Sequence, residues 1–283
     1  MGVWRGALVA VIGSVLAFGG FQPASAAPTT PYLALGDSIT FGYVSDPPAG
    51  DGSDPYADAA NFVGYPMYAG AAAGLNAVDA ACPGETSTSL ITPWTPDAGC
   101  TAYRASHPLH VAYAGSQLNF AQWFLQTHPD TQLVTIAIGI NDVGLFIAHC
   151  GGWEHTACID DGLSAVLDTV RANVTVIVGA LRRTGYDGTI MLVNYFTLEY
   201  ANQQTAGVMR DLDSSIAAVA ADEHLPVADT FNAFMNAAAA TRGDACAAGL
   251  FGDGRSMLGA CDEHPSAAGQ RLMATAVEAA LTR

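Results

Sequence analysis

The chain has 283 residues, 51% of them hydrophobic and only 13% charged, with 10 basic against 26 acidic side chains and a net charge of −16. That is enough apolar material for one large core or two smaller ones. So acidic a surface repels nucleic acid and anionic membranes, which argues against both as partners and leaves solubility outside the cell as its simplest use.

In chain order, the first feature is a targeting segment. Arg5 is the only charge before an apolar stretch from Gly6 to Phe21, and Ala24-Ser25-Ala26 fits a small-x-small cleavage pattern. The alternative, an uncleaved anchor, is disfavoured by the Gly interruptions and by Pro23. Residues 1–26 therefore read as a signal peptide and residues 27–283 as one exported domain. No later run reads as long and apolar enough to span a bilayer.

Tyr32 to Leu35 is the first strand, and Gly36-Asp37-Ser38 follows it directly. A serine at the exit of a buried strand is exposed and rigidly placed, as nucleophilic catalysis requires, although Gly, Asp and Ser are also ordinary turn residues. Asp37 reads as structural, holding the turn or capping the next helix. Ser45 to Asp58 is a polar loop expected to form part of a substrate rim. Tyr65 to Leu75 is helical, Asn76 to Ala80 a short strand, and Cys82-Pro83-Gly84-Glu85-Thr86-Ser87 a turn running into a helix start.

Leu118, Phe120, Ala121, Phe124 and Leu125 recur at helical spacing between Ser116 and Thr127, and His128-Pro129 stops that helix. Leu133 to Ile138 is a strand buried on both faces, followed by Gly139-Ile140-Asn141-Asp142. Ile159 to Thr184 is a long amphipathic helix, Thr189 to Phe196 another buried strand, Asn202 to His224 a helix, Leu225 to Asp229 a strand and Ser266 to Leu281 a closing helix. Strand and helix alternate throughout, with no internal repeat and no long linker. The expected fold is a three-layer α/β/α sandwich with a mostly parallel, flavodoxin-like central sheet.

In such a sheet ligands bind at the carboxyl ends of the strands, where Ser38, Gly84 and Asn141 all fall. His264, beside Asp262-Glu263 and before Pro265, lies on a loop able to return to that edge. A serine hydroxyl needs a base to take its proton, and His264 has the best context of the seven histidines. The Ser38 and Gly84 backbone N–H groups and the Asn141 amide are candidate donors to an oxyanion. Taken singly, Gly84 also reads as a turn glycine and Asn141-Asp142 as an Asx turn.

Six cysteines in an exported chain read as disulfides, and although six allow 15 pairings, short loop closure favours Cys82–Cys100, Cys150–Cys158 and Cys246–Cys261. The rival is a metal site from His149, Cys150, His155 and Cys158, which an oxidising compartment and the lack of Cys-x-x-Cys spacing disfavour. Trp94, Tyr103, Trp123, Phe124 and Trp153 are candidates for an apolar acyl pocket, against the more usual role of core or cover. Asn173-Val174-Thr175 matches a glycosylation sequon by chance, inside a helix.

Gly36-Asp37-Ser38-Ile39, Gly84 in Cys-Pro-Gly-Glu-Thr-Ser, Gly139-x-Asn141-Asp142 and His264-Pro265 with Gly269 behind form four ordered blocks from Tyr32 to Leu281. In these the chain resembles the GDSL or SGNH hydrolases, and its cysteine pairs look like those of their secreted actinobacterial lipases and esterases. The resemblance implies a serine ester hydrolase of the SGNH type with Ser38 as nucleophile, His264 as base, and Ser38, Gly84 and Asn141 as the oxyanion hole. It implies a small-molecule or lipid ester as substrate and no metal or cofactor, and a monomer is expected. Ile39 replaces the usual Leu. The family's acid stands three residues before the histidine, where this chain has Cys261. Asp262 is the candidate acid here, with a backbone carbonyl as the alternative. The rivals for the whole reading are a binding module of the same fold with a dead site and an acyltransferase.

Overall fold

The computed structural model describes residues 1–3, 30–45, 54–253 and 261–282. The expected signal peptide, but for its first three residues, and positions 46–53 of the expected rim loop lie outside them.

The fold begins with β1 (Pro31–Gly36), every residue of which is buried, and turns at once into the single-turn α1 (Ser38–Phe41). Helix α2 (Tyr65–Ala73) and β2 (Asn76–Asp79) follow, then the short α3 (Ser87–Ile91) and α4 (Cys100–Ser106). Helix α5 (Gln117–Thr127) starts on a capping box in which Ser116 and Asn119 each receive the other's backbone N–H. Strand β3 (Leu133–Ala137) is buried throughout and runs into α6 (Ile140–Cys150) and α7 (Thr156–Arg182). The chain closes with β4 (Thr189–Val193), α8 (Gln203–Asp222), β5 (Val227–Ala228), α9 (Thr230–Ala237) and α10 (Ala267–Leu281).

The five strands pair in the order β2-β1-β3-β4-β5, and all four pairings are parallel. Helices cover both faces, giving the α/β/α sandwich. On one side α2 packs on α10; on the other, α7 packs on α3, α5, α6 and α8. Buried on both faces, β1, β3 and β4 are continuous apolar runs rather than alternating ones. In this strand order the chain reverses direction across the sheet between β1 and β3, which opens the crevice where such folds bind ligands.

The structure departs from the sequence expectations in three places. Strand β4 ends at Val193 rather than Phe196, because the Tyr195 N–H leaves the ladder for Asp213 Oδ1 at 2.9 Å, while the Asn194 side chain accepts from Thr230 N at 2.6 Å and fixes the start of α9. The segment after Gly139 is the first turn of α6 rather than a free Asx turn. Thirdly, α7 is long and apolar enough, by length and composition, to cross a membrane, contrary to the expectation that no run after the leader would be. It meets that test because a core helix of 27 residues presents Ile159, Leu163, Val170, Val174, Ile177 and Leu181 to the protein interior.

The disulfides join Cys82 to Cys100, Cys150 to Cys158 and Cys246 to Cys261. Cys150 and Cys158 thus pair with each other rather than serving a metal. Asn173 lies within α7, and its amide donates to Ser87 Oγ and Thr88 Oγ1 at 2.9 and 3.0 Å, tying α7 to α3.

Candidate active site

Adjacent strands bring three of the four sequence blocks together. Ser38 follows β1, Gly84 follows β2, and Asn141 follows β3, and these strands are neighbours in the sheet. Backbone pairing of β2 with β1 continues past the strand, through Ala80 N to Ala34 O and Cys82 N to Gly36 O, so the Gly84 turn stays beside the Ser38 turn.

The Ser38 turn is gripped at nearly every residue. Gly36 fits because there is no room for a side chain, since a Cβ there would lie 2.5 Å from Ala137 O. Its N–H donates to Gln117 Oε1 at 2.6 Å, and its carbonyl accepts from Gln117 Nε2 at 2.9 Å. Asp37 caps α1 by accepting from Ile39 N at 2.9 Å, and its other oxygen accepts from the Tyr195 hydroxyl at 2.7 Å. Burial pushes this carboxyl up to about 6 despite both donors. The Ile39 carbonyl accepts from Gln270 Nε2 at 2.9 Å, and His110 Nε2 lies 3.1 Å from the Phe41 carbonyl. Asp37 is therefore structural, as its cap geometry shows. Ser38, only 8% exposed, is the first residue of α1, with its hydroxyl directed at the histidine.

His264 Nε2 is 3.0 Å from Ser38 Oγ, and His264 Nδ1 is 2.7 Å from Asp262 Oδ1. It is thus the Asp262 side chain, rather than a backbone carbonyl, that meets Nδ1. The shifted spacing works because the loop is stitched to Gly252: Asp262 N donates to Gly252 O, and Gly252 N to His264 O, both at 3.1 Å. A bridge between Phe251 and Pro265 and the Cys246–Cys261 disulfide hold the same loop. Ser45 donates its backbone N–H to Asp262 Oδ2 at 2.6 Å and its hydroxyl to Oδ1 at 3.0 Å. Burial alone would push the Asp262 carboxyl up; the hydrogen bond and charge of His264, with the Ser45 donors, overcome it and hold the group at about 2. The Tyr43 ring stands edge-on to the imidazole, 4.8 Å between centroids.

On the other side of Ser38, Gly84 adopts φ +82, and a Cβ there would sit 2.6 Å from the Ala98 carbonyl, so both conformation and contact require glycine. Asn141 lies in the first turn of α6, where its Nδ2 donates to the Glu85 carbonyl at 2.8 Å and keeps a second hydrogen for another acceptor. Asp142 accepts from Ser87 N at 2.8 Å and Ser87 Oγ at 2.7 Å, which fixes α3 against α6. A hydroxyl within reach of an imidazole whose far nitrogen meets a carboxylate, beside backbone and amide donors, suits general-base activation and oxyanion stabilisation.

Sequence reasoning missed Gln117, Tyr195, Gln270, Glu85 and Ser45, because their partners are remote in sequence. The available signal was polarity inside apolar patterns. Gln117 and Gln270 are almost wholly buried on helices, and Glu85 is 2% exposed. Of the aromatics proposed for an acyl pocket, Trp94 and Trp123 are exposed at 81% and 54%, and Phe124 is in the core. Tyr103 packs on Phe41 and on Tyr43, one ring away from His264. Trp153 packs against the main core.

Residues 34–272 match the GDSL-like Lipase/Acylhydrolase family. No curated protein matches the chain. Among solved structures, the chain is similar to a phospholipase A1 from Streptomyces albidoflavus NA297, with a TM-score of 0.60 and 20% identity over 89% of this chain and 99% of that one. It is also similar to Axe2, an acetylxylan esterase from Geobacillus stearothermophilus, with a TM-score of 0.53 and 18% identity over 91% of this chain and 96% of the other. At these identities the likeness is one of fold.

Proposed function

The chain belongs to the GDSL-like lipase and acylhydrolase family, and from that premise we propose that it is an exported serine ester hydrolase working through an acyl-enzyme on Ser38. The observation that carries this reading is the run of contacts from Ser38 Oγ to His264 Nε2 and from His264 Nδ1 to Asp262 Oδ1. His264 takes the hydroxyl proton as Ser38 Oγ attacks the ester carbonyl, and Asp262 holds the ring and stabilises the imidazolium. The oxyanion rests on the Ser38 and Gly84 N–H groups and the second hydrogen of Asn141 Nδ2. His264 then gives its proton to the departing alcohol. Water, activated by the same imidazole, attacks the acyl carbonyl and restores the serine.

Export, with residues 1–26 removed as a signal peptide and residues 27–283 acting as one domain, is part of the same reading. The three disulfides support it, because such bonds persist in oxidising compartments. The substrate class is a carboxylic ester, lipid or small. Hydrolysis of p-nitrophenyl esters from acetate to palmitate by wild type, beside Ser38→Ala, tests the proposal. Turnover that disappears in the variant supports it, and the chain-length optimum separates esterase from lipase. A folded wild type inert on every ester favours the dead-site binding module.

A further inference from the structure

We propose that Gln117 is a positioning residue of this reaction, one amide that sets the nucleophile turn against the oxyanion-donor turn. The proposal rests on the hydrolase reading above. Gly36 stands two residues before Ser38, at the end of β1. There the Gln117 amide adds to the strand pairing, accepting from Gly36 N at 2.6 Å and donating at 2.9 Å to Gly36 O, which also accepts from Cys82 N. The second hydrogen of Nε2 goes to Glu85 Oε2 at 3.2 Å. Gln117 is fully buried, and these three bonds use its acceptor and both its donors.

The far end of that third bond gives the amide its reach. Glu85 adjoins Gly84, its carbonyl holds the Asn141 amide, and its other carboxylate oxygen takes the Ser89 hydroxyl. A single side chain thus joins the turn carrying Ser38 to the turn carrying Gly84 and, through Glu85, to Asn141. The stabilisation of a developing oxyanion depends on the distance between the attacked carbon and its donors, and a misplacement of about 1 Å costs about 10²-fold in rate. Removing the amide loosens that distance without touching the ester itself.

A positioning role and a merely structural one differ in what they do to turnover. Leucine at this position fills similar volume but forms none of the bonds. Q117L should lower kcat by about 10- to 100-fold with KM within about twofold, measured where the variant is fully folded. Q117E is isosteric and separates the states by pH. Its protonated carboxyl still accepts from Gly36 N and donates to Gly36 O, whereas the ionised form has no donor and faces the Glu85 carboxylate. The charged and titratable groups around the site are Glu85, Asp97, Arg104, Tyr113 and, beyond Tyr113, Asp79. Burial pushes Glu85 up to about 7, so the Q117E profile is read against E85Q and in the E85Q/Q117E double variant.

The expected result is an alkaline fall in kcat for Q117E and for the double variant, absent from wild type and from E85Q. Q117L with wild-type kcat, or a Q117E profile parallel to wild type, would overturn the positioning role while leaving the hydrolase reading standing. A folded wild type without esterase activity would overturn both.

Discussion

The two halves of the candidate site are held by different means. The Ser38 turn is packed into the sheet, with Gln117, Tyr195, Gln270 and His110 each engaging a different residue between Gly36 and Phe41. The His264 loop hangs on paired backbone with Gly252, one disulfide and the two Ser45 donors. The serine is therefore set by the core and the imidazole by a loop, so damage to either should show differently. Loss of one grip on the serine turn is shared among neighbours and registers chiefly in stability, unless, like Gln117, it also reaches the oxyanion turn. Loss of a grip on the histidine loop registers chiefly in turnover.

The largest expected effect on that contrast comes from Asp262→Asn, which keeps the shape but removes the charge facing Nδ1. Turnover should fall by about 10⁴ with the fold intact; a loss below tenfold would mean that another group orients His264. Asn141→Ala should lower kcat by about 10²–10³, the cost of one oxyanion donor, and unchanged turnover would exclude that role.

Ser45→Ala removes one of the two bonds from Ser45 to Asp262. It should lower kcat by about tenfold, an order-of-magnitude expectation for one charge-assisted hydrogen bond, with little change in Tm. Tyr195→Phe should do the reverse. Stripping a buried carboxyl of one donor costs about 1–3 kcal/mol, or several degrees in Tm, with turnover changed much less. Equal effects of the two on turnover would erase the distinction between core-set serine and loop-set histidine.

The effect on turnover is smallest for the last test, a pH trend in stability. Burial raises the carboxyls of Asp37 to about 6, Glu85 to about 7, and Asp79 and Asp213 to about 8. In the unfolded chain such groups lose their protons near pH 4. Between those values the folded protein binds more protons than the unfolded one, so stability declines as pH rises from about 4 and levels off above about 8. Asp262, held at about 2, works in the opposite sense, contributing stability above pH 4 that is lost as pH falls toward 2. Tm should be higher at pH 5 than at pH 8, and Asp79→Asn should flatten the difference. A Tm that rises over this range would contradict the assignment.

The sequence revealed where the chemistry sits more readily than how it is held. Ser38, Gly84 and Asn141 each follow a strand, and apolar runs locate β1, β3 and β4 well enough to put these residues at one sheet edge. The supports were hidden because they act over long separations: Gly36 and Gln117 are 81 positions apart, Asp37 and Tyr195 158, and Ile39 and Gln270 231. Nothing local marks them except polarity in an apolar setting. Local pattern also misled at α6, whose Gly139-Ile140-Asn141-Asp142 start looks like a turn until the helix is seen. At α7 the outer face carries so few charges that a core helix passes for a membrane span.

The most direct test of the central claim is the intact mass of the protein after treatment with a serine-directed phosphonate, run beside Ser38→Ala and His264→Ala. A single adduct that maps to Ser38, is absent from Ser38→Ala and forms far more slowly in His264→Ala is the predicted result. No adduct on folded wild type, or one that persists in Ser38→Ala, would contradict Ser38 as the nucleophile.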